Sequence, residues 1–125
     1  MIELMPLDRE EVVGYRISGR VDRADLDPVV TELERLFKYH DKLRVYAEVE
    51  SFEGITLPAL IEDLRFGLRH LRRFEREAIV SDKKWLANLA GISDKLFPSL
   101  EVRHFSWDEK IEALAWIHQV TTAPL

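Results

Sequence analysis

Apolar and polar residues alternate from Val12 to Val21, with Val13, Tyr15 and Ile17 on one side and Arg16 and Ser18 on the other. That period of two is the signature of a strand. The preceding Ile2-Glu3-Leu4-Met5-Pro6-Leu7 alternates weakly, and Pro6 confines it to an edge or an end. Asp8 to Glu11 forms a polar connection, so residues 2–21 are expected to make a hairpin. A helical period then takes over through Leu26, Val29, Leu33, Leu36, Phe37 and His40. Asp27 as cap and Pro28 in the first turn predict where this helix begins, with His40 a boundary residue at its end.

Leu43 to Glu50 alternates again. Leu43, Val45, Ala47 and Val49 face one way, and Arg44, Tyr46, Glu48 and Glu50 are expected on a solvated polar face. A second helix begins near Thr56 or Leu57, with Pro58 tolerated in its first turn. Its stripe is Leu57, Leu60, Ile61, Leu64, Leu68 and Leu71. Glu77-Ala78-Ile79-Val80 is short and apolar past its first residue, as in a central strand covered on both faces. Asp82 is expected to cap a third helix running to about Leu96, and Pro98 to help end it. Glu101 to Phe105 is the last strand, and Ser106 with Glu109 fits a capping box that opens a last helix.

The predicted order is β-β-α-β-α-β-α-β-α. Strands joined by single helices need crossovers, which make mostly parallel sheets. The expected fold class is α/β, a small mixed sheet with packed helices, as one domain over residues 1–125 with a frayed tail after Val120.

Composition narrows the function classes. A chain of 125 residues can build a core without staples. Eighteen basic against 23 acidic residues give a net charge of −5, the wrong sign for a general nucleic-acid binder. The absence of cysteine removes disulfides, thiol catalysis and thiolate metal sites. No apolar run approaches ~18 residues and no leader is evident, which points to the cytoplasm.

No P-loop, dinucleotide fingerprint, HExxH or GxSxG pattern occurs. His40, His70, His104 and His118 are not spaced as metal ligands on one helix face, so neither metal nor cofactor is expected. Glu48, Glu50 and Glu53 gather near a strand's C-terminal end, the usual place for an active site in open α/β sheets. A solvated strand face accounts for them as well. Asp22, Asp25 and Asp27 are explained by turn and capping chemistry.

A helical wheel separates the second helix into two characters. The leucine stripe fills one face; Arg65, Arg69, Arg72 and Arg73 lie on its flank, and Phe66 lies almost opposite the leucines. Arg65–Arg69 and Arg69–Arg73 are like-charge i,i+4 pairs, each costing roughly 0.2–0.5 kcal/mol, with Glu62 offsetting part by pairing toward Arg65. Residues 65–84 hold seven basic and three acidic side chains, a local +4 that leaves −9 for the remainder. A charged solvated face is one explanation. An anion-facing surface is the other, and Phe66 beside arginines suits a membrane headgroup boundary better than nucleic acid.

In the third helix Trp85, Leu86, Leu89, Ile92, Leu96 and Phe97 make a broad stripe, with Lys83, Lys84 and Lys95 at its edges or opposite. Two neighbouring helices with surplus apolar width suggest a ligand pocket with a basic rim. Trp116 falls off the Ile111, Leu114, Ile117 stripe of the last helix, toward the hairpin or a subunit interface that would permit a homodimer.

The most distinctive stretch is Phe74-Glu-Arg-Glu-Ala-Ile-Val-Ser-Asp-Lys-Lys-Trp85, followed by Leu96-Phe97-Pro98, Val102-Arg103-His104-Phe105 and Glu112-Ala113-Leu114-Ala115-Trp116. With the element order, it resembles the SpoIIAA-like (STAS-like) family of small bacterial proteins from about Leu43 to Ile117, and more loosely before that. The resemblance implies a STAS-type fold, shared in outline with lipid-carrying CRAL-TRIO domains. It also implies binding of a nonpolar ligand or a membrane surface through the second and third helices.

Better-known relatives are anti-sigma factor antagonists with a regulatory phosphoserine in an Asp-Ser-Ser-Gly type motif at the N-terminus of the second helix. This chain has Glu50-Ser51-Phe52-Glu53-Gly54 there, with carboxylates that would repel a phosphate on Ser51. The phosphosite is therefore not carried over.

The expected function is a non-enzymatic binding module for a hydrophobic or lipid-like ligand, or a peripheral contact with the inner membrane face. Phe66, Trp85, Leu86 and Leu89 would supply apolar contact, and Arg69, Arg73, Lys83 and Lys84 would sit near an anionic headgroup. The alternatives are a STAS-type regulatory module with a protein partner and, third, an enzyme using Glu48, Glu50 or Glu53.

Overall fold

A computed structural model describes residues 1–97 and 99–120, apart from the side chains of Ser93 and Leu96. The expected roles of Pro98, of the Leu96 side chain and of a tail after Val120 lie outside the described residues.

The element order is the predicted one. Strands β1 (Ile2–Met5), β2 (Val12–Val21), β3 (Leu43–Ile55), β4 (Phe74–Val80) and β5 (Glu101–Phe105) alternate with helices α1 (Arg23–Phe37), α2 (Leu57–His70), α3 (Lys84–Leu96) and α4 (Lys110–Ile117), α1 following β2. The five strands lie in sequence order in one sheet. β1 runs antiparallel to β2 at the edge, as the hairpin and Pro6 predicted, and every other pair is parallel.

The β2–β3 ladder slips between Ile17 and Ser18 and between Gly19 and Arg20. Gly19 there has φ +62°, which costs a residue without Cβ little. At Gly14, opposite Met5, the two edge strands approach so closely that a Cβ would stand 2.7 Å from the Met5 carbonyl oxygen.

Two layers cover the sheet. On one face Val13, Tyr15, Leu43 and Val45 pack with Leu33, Leu36 and Phe37 of α1, Phe66 of α2 and Phe74. α3 covers the β5 end of that face through Ala90, against Leu100 and Val102. On the other face Val12, Tyr46, Ala78 and Val80 pack against Ala113, Trp116 and Ile117 of α4.

Several local expectations are corrected. α1 starts at Arg23, capped by Asp22, whose carboxylate accepts from the Asp25 N–H while Asp25 reciprocates at 2.9 Å. This capping box outcompetes Asp27, and Pro28 sits inside the helix. Asp82 does not begin α3; its carboxylate accepts from the Trp107 N–H at 3.1 Å. Ser106 and Glu109 do form their capping box, around a 3-10 turn that leads into α4. Ile111 is 81% exposed, whereas Trp116 is buried against Phe105 and flanked by the Arg76 and Arg103 guanidiniums.

The face of β3 that carries Arg44, Tyr46 and Glu48 is buried, not solvated. α4 covers it, and its polar groups are partnered. Arg44 donates to the carbonyls of Ile117 and Gln119 and pairs with Glu75 at 3.0 Å. Arg76, opposite Arg44 in register, donates to the Trp116 carbonyl at 2.9 Å. Two buried cations at a helix C-terminus satisfy its orphan carbonyls and complement its dipole. Each thereby offsets the repulsion of its like-charged neighbour.

Candidate functional site

The largest difference from the sequence expectation is the rotation of α2. The helix begins at Leu57, within the expected Thr56 or Leu57 start, and Thr56 caps it. The leucine stripe nevertheless faces outward. Leu57 is 68% exposed and Leu68 67%, with Leu60, Ile61 and Leu64 also exposed. The buried residues are Ala59 and Phe66.

Phe66 is thus corrected from the outer face to the inner one. It stands edge-on to Phe74 and lies 4.6 Å from the His70 ring, which stacks on Phe37 at 5.0 Å. Burial, with Arg69 and Arg73 nearby, holds the His70 imidazole below its ordinary value.

Arg73 anchors the same corner. Its guanidinium donates to the carbonyls of Phe37 (2.6 Å), His40 (2.8 Å) and Asp41 (3.1 Å) and lies over the Phe37 ring. It closes the end of α1 and is not available to a headgroup, which corrects its expected role. Arg69, Lys83 and Lys84 are exposed, and no acidic side chain lies within 4 Å of them among the described residues. Glu62 faces Arg23 at 4.0 Å instead of Arg65.

On α3, Trp85 is 49% and Leu89 50% exposed, while Leu86 is half-buried. Trp85 leans on Phe52 at the end of β3, with ring centroids 5.7 Å apart. The two helices therefore both present apolar stripes to solvent.

With Leu57, Leu60 and Ile61 turned out, α2 does not fill the space above the sheet; Leu64 and Leu68, though exposed, also line it. A partly open cavity of about 360 Å³ remains between α2, α1, the sheet and the chain after α3. Its floor includes Tyr15, Val45 and Ala47, its α1 wall Leu26 and Leu33, and its α2 wall Phe66 and Gly67. Folded interiors leave few voids larger than a water, and ~300–1,000 Å³ is the usual size of a small-molecule site. Of the residues expected to bind ligand, Phe66 lines this cavity; Arg69, Arg73, Lys83, Lys84, Trp85, Leu86 and Leu89 do not.

Three polar residues join the apolar lining, and the sequence reading assigned none of them to a site: Tyr15, Asp63 and Glu77. The Tyr15 hydroxyl is buried without a hydrogen-bond partner, and burial raises its pKa. Glu77 points its carboxyl into the apolar surroundings, and desolvation, with the Asp63 charge nearby, pushes it up to about 7. Asp63 is solvent-accessible in area yet crowded by apolar neighbours, and that desolvation raises its carboxyl too. The signal for Glu77 was available: a lone acid at the start of an otherwise apolar central segment.

The acids near the end of β3 form no comparable site. Glu48 is buried on the opposite face, where it accepts from the Tyr46 hydroxyl at 2.7 Å and faces Arg16 (3.3 Å) and Lys110 (3.6 Å). Glu50 and Glu53 are exposed. Ser51 lies within β3, not at the N-terminus of α2. Among the described residues no three acids or imidazoles are grouped to hold a metal ion, and no helix is long and apolar enough to cross a membrane.

The model of the SpoIIAA-like family matches residues 12–118. The crystal structure of an uncharacterized protein from the DUF3478 family, with a SpoIIAA-like fold, from Shewanella loihica PV-4, superposes with a TM-score of 0.74 over 93% of each chain. The two are 19% identical, so the likeness is one of fold. No curated protein matches the chain.

Proposed function

The chain belongs to the SpoIIAA-like family, and from that premise we propose that it is a non-enzymatic binding module that seats a hydrophobic small molecule beneath α2. Its SpoIIAA-like fold supports an interaction module of the STAS type. The observation that carries the proposal is the apolar cavity of about 360 Å³ under a helix that leaves Leu57, Leu60 and Ile61 outside it and turns Phe66 inward. An occupant would supply the dispersion contacts that an empty apolar hollow lacks. Gly67 lines the cavity and leaves space open there: apart from its chain neighbours and its own helix backbone, nothing lies within 4 Å of where its Cβ would be.

The test is a fluorescence titration with N-phenyl-1-naphthylamine, a neutral hydrophobic dye. The expected result is one saturable site per chain, weakened at least about tenfold by Ala47→Leu, which extends the cavity floor inward, or by Gly67→Leu from the α2 wall. No saturable site, or one that both variants leave unchanged, refutes the proposal.

A second reading rests on the outer surface. Leu57, Ile61, Leu68, Trp85, Leu89 and Ile92 are exposed on α2 and α3, near the exposed cations Arg65, Arg69, Lys83 and Lys84. Apolar residues with cations suit an anionic membrane surface. In that reading the protein floats with anionic vesicles and not with neutral ones. Equal and negligible flotation with both removes it.

A further inference from the structure

We infer that the cavity selects a hydrophobic cation: an amine whose ammonium end lies against Glu77 and Asp63 and whose apolar body fills the space beneath α2. The inference rests on the proposed binding role and adds the chemistry of the ligand's polar end. It reverses the sign that the basic stretch of the sequence suggests, because that stretch lies outside the cavity.

The charged residues of the lining decide it. Glu77 from β4 and Asp63 from α2 are acids, and among the described residues no Lys, Arg or His lines the cavity. Among the described residues the only other titratable lining group is Tyr15 from β2; α1, β3 and the chain after α3 contribute apolar side chains. A fatty carboxylate would bring a third negative group into this space with no cation to meet it, a costly burial. An ammonium would be paired there. Four aromatic residues, Tyr15, Phe66, Phe74 and Phe97, line the same cavity, and aromatic faces attract ammonium groups. Glu77 has no hydrogen bond or ion pair to its carboxylate among the described residues, so the fold leaves it to be satisfied by something else.

A consequence follows for pH. A permanent cation binds best when Glu77 is ionised, and its carboxyl is pushed up to about 7. Affinity for such a cation therefore rises with pH between 6 and 8, by up to about tenfold, as the ionised fraction grows.

The experiment compares three probes of one chain length in displacing N-phenyl-1-naphthylamine from the full chain: decyltrimethylammonium, 1-decanol and decanoate. At pH 8 the ammonium is expected to bind at least about tenfold tighter than decanoate, and to weaken several-fold at pH 6. Decanol is expected to be insensitive to pH. Glu77→Gln should flatten the pH dependence for the ammonium, and Asp63→Asn, on the accessible side of α2, should lower its affinity while leaving decanol unchanged. Decanoate binding as well as the ammonium, or an ammonium affinity that is constant from pH 6 to 8 in the unmodified protein, overturns the inference while the binding role stands. Failure of every probe, decanol included, overturns the binding role and the inference with it.

Discussion

Replacing Glu77 by Gln removes the one ionisable carboxyl that the cavity holds far from its ordinary state. In the folded chain this group gives up its proton at about 7, against an ordinary value of 4.5. Between those pH values the folded state binds more protons than the unfolded one. Stability therefore falls as pH rises through this window, and the whole contribution is lost above the folded value. At 1.36 kcal/mol for each tenfold change in proton affinity, the loss is about 3 kcal/mol. Gln keeps the shape and hydrogen-bonding capacity but cannot ionise, so the variant escapes it. Other groups act on both proteins alike. His70, whose pKa is lowered, stabilises above its unfolded value and loses that contribution as pH falls. Glu11 and Glu32, also lowered, behave the same way at more acid pH. The difference between variant and parent reports Glu77 together with its coupling to Asp63. Urea unfolding followed by circular dichroism at pH 5, 6, 7 and 8 gives that difference from the midpoints at constant slope. It should grow in favour of Glu77→Gln by about 3 kcal/mol across pH 4.5 to 8, most of it between pH 5 and 7. A difference that stays constant within about 0.5 kcal/mol would mean that Glu77 is solvated, and the polar chemistry assigned to the cavity would fall with it.

Three further outcomes are expected. Leu57→Gln should change stability by no more than about 0.5 kcal/mol, whereas Phe66→Ala should cost about 3–5 kcal/mol; the reverse order in urea unfolding would mean that α2 is rotated the other way. Arg44→Ala should cost about 1–3 kcal/mol by leaving the Ile117 and Gln119 carbonyls without their donor, and a loss under about 0.5 kcal/mol in the same assay would show that this corner is wet. Gly14→Ala should destabilise by about 1–3 kcal/mol because its Cβ meets the Met5 carbonyl, while Gly67→Ala, in open space within a helix, should stabilise by up to about 1 kcal/mol; thermal melts of the pair check both signs.

The order and type of the elements were legible because each rests on short-range pattern. The Val12–Val21 alternation, the Ser106 capping box and the apolar Ala78-Ile79-Val80 run name their elements without tertiary information. The start of α1 was misplaced because two cap candidates, Asp22 and Asp27, compete locally, and only the reciprocal bond with Asp25 decides between them. The orientation of α2 was not legible for a deeper reason. A helical period reports that one face is apolar, and the step from apolar to buried is an assumption about the neighbours. Here Phe66 and His70 fit against Phe37 and Phe74, and Arg73 fastens the end of α1, so the aromatic side turns inward and the leucines turn out. The cavity and its acids follow from that rotation. Arg44 and Glu48 were misread for a related reason: the second face of the sheet is covered by α4, the last helix in the chain.

The cavity beneath α2 as the seat of a hydrophobic molecule is tested most directly by methyl NMR of the full chain during titration with 1-decanol. Saturable shifts are expected in the methyl groups of Leu26, Leu33, Val45 and Leu71, which line the cavity, with Val12 and Ile117 on the opposite face unmoved. Shifts confined to the exposed Leu57, Leu89 and Ile92, with the cavity methyls silent at saturation, would contradict it.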